Sequence, residues 1–449
     1  LVLQAMVTRL SARIDKARLL QSSGLLIVLV LAASLTSAQS HVRAASNPGT
    51  IAYLRNGNEL RLIEPDGSHD RNLWTEPDPQ FNYQINSLIW RPDGTEITFA
   101  SDHEAPVSRY ASDLYAIRPN GTGLRKLTNT PLNSQLSGYP KGNVILSVGN
   151  GTLSSGPFLI YIQGALAAQA VVIPAGEAKT VTLTDIADFD KPQFAVAIDG
   201  DDRWVMTTAI NVQASSTVNG GSFLLTENNK RQRYGAYAPA WRMDDSQVGF
   251  ILGDCVAMYQ VSANPLAGGL NETPLLNTQT VNPCLIDRGP TPTTANKILY
   301  GVYWPSDHGI YLVTEGATDA GTKLISYDTP DLLLGLQWLP DGSGFVFSKT
   351  TDYDASSNLY EYDFATNTVT QLTDFTTELA AGFSLSPDGQ SIVFERTPTL
   401  GGSQINLWIM NRDGSNQRLL VSDGQLPAWG VSAPLPVLNH HVYLPSVMR

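Results

Sequence analysis

Short apolar runs recur along this chain in a fixed order, each fenced by turn-forming residues. Trp90-Arg91-Pro92-Asp93-Gly94 is followed at once by Ile97-Thr98-Phe99-Ala100. The same succession returns as Trp241-Arg242-Met243-Asp244-Asp245 with Val248-Gly249-Phe250-Ile251, and as Trp338-Leu339-Pro340-Asp341-Gly342 with Phe345-Val346-Phe347-Ser348. It returns once more as Leu385-Ser386-Pro387-Asp388-Gly389 with Ile392-Val393-Phe394-Glu395. Val196-Ala197-Ile198-Asp199-Gly200 is a weaker copy, and Trp429 ends a truncated one. In each unit the first apolar residue closes a strand and Pro-Asp-Gly turns the chain. Pro presets φ, Asp bonds its own backbone, and Gly accepts positive φ. A third strand follows a variable loop (Asp113 to Ile117, Asn358 to Tyr362, Asn406 to Met410). After a second Gly turn comes a short fourth one such as Arg125 to Thr128 or Thr370 to Thr373.

The spacings 196→241, 338→385 and 385→429 are 45, 47 and 44 residues. The gap 241→338 leaves room for one further copy near 284–289. Leu407-Trp408-Ile409-Met410 and similar strands are apolar at successive positions, as expected where both faces of a sheet are covered. Four-stranded units at this period predict an all-β chain, a single β-propeller. Residues 51–74 supply only the second, third and fourth strands of a unit, whereas Leu426-Pro427-Ala428-Trp429 is a first strand without a unit. Pairing the C-terminal strand with the N-terminal blade closes the ring and removes its exposed edges. With that composite blade, units near 86–128, 193–234, 236–276, 283–326, 333–373 and 379–421 make seven. The number falls to six if 193–234 is not a blade and rises to eight if the segment before it is one. That segment, 139–185, carries four strands without the Trp-x-Pro-Asp-Gly turn and reads as an inserted β-module, with a degenerate blade as the alternative. The resulting plan is a signal peptide over 1–38, a linker over 39–49, propeller over 50–138, the module over 139–185, propeller and closing strand over 186–430, and a tail over 431–449.

The unit closely resembles the repeat of TolB-type β-propellers, also found beneath prolyl oligopeptidase-like peptidases, over about 330 of the 449 residues. The resemblance is strongest at 86–128 and 333–421. It implies the fold and says little of function, because the motif encodes turns and packing. TolB binds partner proteins in the bacterial envelope, but its preceding domain has no counterpart here, so those partners do not carry over. The module is similar to PEGA-type and immunoglobulin-like pieces of bacterial surface proteins. His441-Val442-Tyr443-Leu444-Pro445 resembles the Tyr-Leu-Pro endings of some secreted bacterial proteins.

Charge and targeting refine this picture. Arg9, Arg13, Lys16 and Arg18 precede an apolar core at Leu25 to Ala33 and the small-x-small site Thr36-Ser37-Ala38, the order of an export signal. The core is short for a membrane span, so an uncleaved anchor is the weaker expectation. Cleavage would remove a net +3 and take the chain from −12 to −15. Such acidity argues against nucleic acid and anionic membranes as partners. A secreted or extracytoplasmic monomer follows, and in that setting Cys255 and Cys284 are expected to form a disulfide. Two buried free thiols are the alternative.

No catalytic or metal-binding set stands out. Neither a Gly-x-Ser-x-Gly elbow nor a sialidase Asp box occurs, and Asp199-Gly200-Asp201-Asp202-Arg203-Trp204 only echoes the latter. His69, His103 and His308 lack metal-site spacing. Asp102-His103-Glu104 is the densest cluster and Asp352-Tyr353-Asp354 lies in the corresponding loop of a later unit; both read as solvated loop charges. No cofactor is implied. The expectation is a non-catalytic scaffold whose face and channel bind a protein or an envelope polymer. The alternative is a hydrolase or lyase with an acidic or metal site in the channel.

Overall fold

The computed structural model describes residues 48–77, 85–105, 108, 110–128, 138–153, 155, 157–162, 169–188, 193–198, 204–253, 255–264, 272–278, 281–302, 308–327, 332–350, 356–398 and 404–431. The expected signal segment, most of the linker, Asp352 to Asp354 and the tail beyond Val431 lie outside them. Every regular element among the described residues is a strand.

Among the described residues, six antiparallel units of four strands each make up most of the structure. The first combines Thr50–Arg55, Glu59–Ile63 and Arg71–Thr75 with Gln425–Gly430 from the far end. The second begins at Ile85–Trp90, the third at Ala236–Trp241, the fourth at Leu285–Arg288, the fifth at Leu333–Trp338 and the sixth at Leu379–Leu385. Those five first strands and Gln425–Gly430 are the inner strands. Each lies against the next, and Leu379–Leu385 lies against Gln425–Gly430, which in turn meets Ile85–Trp90. The circuit is made by packing between sheets and not by one sheet bonding to itself, which makes this a propeller-type arrangement.

Six hydrophobic clusters fill the six interfaces, and the second strands show why their sequences are apolar at every position. Ala52 and Leu54 pack toward the second unit with Leu62, Trp90 and Phe99. Ile51 and Tyr53, the alternate residues, pack toward the sixth with Val393, Ile409 and Trp429. Likewise Phe345 and Phe347 face the fourth unit, and Val346 faces the sixth. A strand whose successive side chains point to opposite faces is buried on both when a neighbour covers each.

The turns behave as their residues dictate. Asp93 Oδ1 accepts from the Thr95 amide at 2.9 Å, the Gly94 amide donates to Arg91 O at 2.9 Å, and Gly94 sits at φ +71°. Asp341 and Asp413 repeat the arrangement with Ser343 and Ser415. The hydroxyl of the serine two residues on, with its amide, donates to the ionised carboxylate and holds Asp66, Asp244, Asp341 and Asp413 below the usual carboxylate range. In the third unit Asp245 stands where Gly94 stands in the second and adopts φ +60° itself. All such turns fall at one end of the units. Links from second to third strand, and from each unit to the next inner strand, fall at the other.

The weak unit expected at 193–234 does not form a four-stranded unit of its own, as the six-unit alternative allowed. Gln193–Ile198 pairs on one side with Trp204–Ile210 and on the other with Phe158–Ile162, inside a five-stranded sheet. The expected module boundary at 185 is therefore too early: the module's strands run from Lys141 to Gln232. Thr217–Thr226 joins Lys141–Gly151 in parallel, and Ala178–Ala187 joins it antiparallel. The two sheets enclose a core of their own, including Val144, Leu146, Phe158, Ile160, Leu183, Ile210 and Leu225. The module occupies the link between second and third units.

The register between Thr50–Arg55 and Gln425–Gly430 is explicit. Ile51 faces Trp429, Ala52 faces Ala428 and Thr50 faces Gly430 across the antiparallel pair. Trp429 Nε1 donates to Pro48 O at 2.8 Å, and Trp90 Nε1 from the second unit donates to Ala428 O at 3.0 Å.

Candidate functional site

The six inner strands surround a channel of about 670 Å³, to which every one of them contributes. Inner strands are edge strands on their axial side, so much of the wall is backbone. Side chains at the wall include Leu88, Tyr237, Leu336, Phe383 and Leu426, with Asn86 and Gln337 among the polar ones. Bulges interrupt five of the six inner strands, for example between Ser87 and Ile85 and between Tyr237 and Ala240. Ala238 and Leu426, each three residues before its Trp, take left-handed backbone (φ +50° in both). Such a conformation costs a non-glycine residue about 1 kcal/mol, and here both sites face the channel.

Polar side chains tie the inner strands together in a repeating way. Asp287 Oδ2 accepts from the Trp338 amide at 2.7 Å, Gln337 Oε1 from the Leu385 amide at 2.9 Å, and Ser384 Oγ from the Trp429 amide at 2.9 Å. Each acceptor immediately precedes the Trp-equivalent position of its own strand and reaches that position of the next. Ile89, Ala240 and Ala428, the corresponding residues of the other three units, have no side-chain acceptor.

Two buried acids stand at or behind the wall. Asp287 accepts backbone N–H from Trp338 and Arg288, and burial pushes its carboxyl up to about 7 against those bonds. Burial likewise raises Glu395, which accepts from the Leu426 amide at 2.6 Å and the Gly382 amide at 3.1 Å. Arg91 pairs with Asp93, Glu96 and Asp245. Arg288 pairs with Glu315 and donates to Gln260. The charged groups of the wall thus bind the protein's own residues.

Residues singled out by sequence fall at several places. Cys255 and Cys284 are bonded, with Cα atoms 4.4 Å apart. Cys255 lies in the second-to-third turn of the third unit and Cys284 lies just before the fourth inner strand, at the channel mouth. The bridge therefore staples neighbouring units on the end that also carries the module. His69 stands at the first unit's fourth strand beside Ser68, and His308 stacks on Tyr327. The structure does not bring these histidines together. Asp199 to Arg203 lie outside the described residues. No group of three or more metal-competent side chains occurs among the described residues.

Asp102-His103-Glu104 proves to be the rim of a buried network. Ser101 Oγ lies 2.5 Å from Glu76 Oε1 and 2.9 Å from His103 Nδ1. The His103 ring packs on Tyr115 and Trp74. Glu104 accepts from Tyr115 and pairs with Lys126, which also pairs with Asp113. Glu76, Asp287 and Glu395 were not singled out as site residues by sequence.

No family model matches the chain. No curated protein matches it either. Similar solved structures are β-propeller proteins. They include an oligogalacturonate lyase in complex with manganese (13% identity, 84% of this chain and 85% of that one, TM-score 0.36). A putative 6-phosphogluconolactonase from Bacteroides uniformis is similar at 11% identity, 86% and 98% coverage and TM-score 0.39. A prolyl endopeptidase is similar at 9% identity, 84% and 50% coverage and TM-score 0.40. At these values the likenesses assign no activity to this chain.

Proposed function

We propose that the six units are the blades of one exported propeller, closed by the C-terminal strand, which serves as a binding scaffold. Its recognition face is the end bearing the module. The observation that carries this reading is the elaboration of that end. A sandwich of two sheets with its own core is inserted there, beside a disulfide-braced channel mouth. Loops and insertions held on a rigid ring are where propellers and similar scaffolds place recognition. A disulfide suits an oxidising compartment, in keeping with the export signal. The ligand on this reading is a protein or an envelope polymer, and its uncharged contacts fall on wall residues such as Tyr237, Leu336 and Phe383.

Replacing residues 141–232 by a short Gly/Ser linker tests the reading, because the module's core is separate from the blades. Affinity capture from envelope extract should lose its specific partners with the shortened chain while the ring keeps its β signal in circular dichroism. Identical captured sets from both forms would refute it.

A further inference from the structure

We propose that Glu76, Ser101 and His103 form a proton-dependent latch between the first and second units, closed while Glu76 holds its proton and loosened when it is lost. Glu76 follows the first unit's fourth strand, where its amide donates to Asn58 O at 3.2 Å. The chain leaving it returns at Ile85, the start of a channel-lining strand. Ser101 ends the second strand of the next unit. The hydroxyl between them therefore joins the two units at the end that carries the channel mouth, and both Glu76 and Ser101 are buried.

Hydrogen counting defines the two states. With Glu76 protonated, its hydroxyl donates to Ser101 Oγ, which donates to His103 Nδ1, so each short contact holds one hydrogen. With Glu76 ionised, the Ser101 hydrogen turns to the carboxylate, and His103 must carry its proton on Nδ1 to remain bonded. The charge then sits on a carboxylate whose Oε2 has no partner among the described residues. An unpaired buried charge is the costly arrangement.

The surroundings do not offset it. Asp102 is adjacent and repels the carboxylate. Lys126, the cation facing His103, is engaged with Glu104 and Asp113. Tyr115 donates to Glu104. Burial pushes Glu76 up to about 7, with the Ser101 bond acting downward and Asp102 upward. Burial also lowers His103 to about 4, so its ring is neutral across the range in which Glu76 titrates.

The test is hydrogen–deuterium exchange of the full chain from pH 5 to 9, corrected for the intrinsic pH dependence and read in peptides covering 71–77 and 97–103. Protection there should fall as pH rises from about 5 to about 7 and level off above, while peptides of the fifth unit stay level. In Glu76→Gln the step should vanish. In Ser101→Ala, which removes the hydroxyl that joins the two units, protection in these peptides should already be low at pH 5; this variant also reads the latch if Glu76→Gln fails to fold. A level wild-type profile, a step retained in Glu76→Gln, or wild-type protection at pH 5 in Ser101→Ala would each overturn the proposal.

Discussion

The four tryptophans that end inner strands occupy equivalent places but differ in one contact, and that difference predicts unequal responses to the same substitution. Trp90, Trp241 and Trp429 each donate from Nε1, to Ala428 O, Thr98 Oγ1 and Pro48 O at 3.0, 3.0 and 2.8 Å. Trp338 Nε1 is buried without a partner among the described residues, its ring resting on Phe364. Trp→Phe removes roughly 40 Å³ at each site, a cavity term of about 1 kcal/mol at ~24 cal/mol per Å³. At the three bonded sites a hydrogen bond worth about 1 kcal/mol is also lost and an acceptor is stranded, for a total of about 2–3 kcal/mol. At Trp338 the substitution instead removes an unsatisfied donor, a relief of about 1–3 kcal/mol that offsets the cavity. Trp338→Phe should therefore be close to neutral, about 2 kcal/mol better than the others. Urea denaturation followed by far-ultraviolet circular dichroism, with midpoints compared at constant slope, measures the gap. A Trp338→Phe loss equal to that of Trp429→Phe would refute the reasoning.

Two further outcomes follow from other parts of the molecule. Cys255→Ser with Cys284→Ser opens a loop with a sequence separation of 29; the chain-entropy relation gives about 3–4 kcal/mol, readable as a lowered urea midpoint. A wild-type midpoint insensitive to reductant would contradict a structural role for the bridge. Asp287 binds its proton more tightly folded than unfolded, so its contribution to stability is full at pH below about 4 and is lost as pH rises toward about 7. Asp287→Asn should lack that part of the decline between pH 4 and 7, and a parallel decline in both proteins would show that Asp287 is not its source.

The repeated four-stranded unit was legible in the sequence because its marks are local. Asp93-Gly94 and Asp341-Gly342 specify turns from adjacent residues. Alternate faces of Ile51 to Leu54 feed two different cores, which forces the continuous apolar runs. The orphan strand ending in Trp429 also announced its partner, since the N-terminal unit lacked that strand. The module's extent was not legible. Gln193–Ile198 is assigned by its pairing with Phe158–Ile162, and nothing near Val196 distinguishes that partner from a blade neighbour. The buried acids were hidden for the same reason. Glu76 meets Ser101 at a separation of 25, Glu395 meets Leu426 at 31, and Asp287 meets Trp338 at 51. Only the topology brings those pairs together, so Asp102-His103-Glu104 showed as exposed loop charge when it is the edge of a buried network.

Closure of the ring by the C-terminal strand is the claim on which the rest depends, and the Ala52–Ala428 pair tests it most directly. These residues face each other across the seam and both are buried. Directly opposed residues of an antiparallel pair have Cβ atoms about 5 Å apart, within reach of a disulfide after modest adjustment. Ala52→Cys with Ala428→Cys, oxidised in the folded state, should give a second cross-link, seen as faster migration on a non-reducing denaturing gel and loss of both new thiols. Two thiols that stay free in the folded, oxidised protein, with unchanged migration, would contradict the closure.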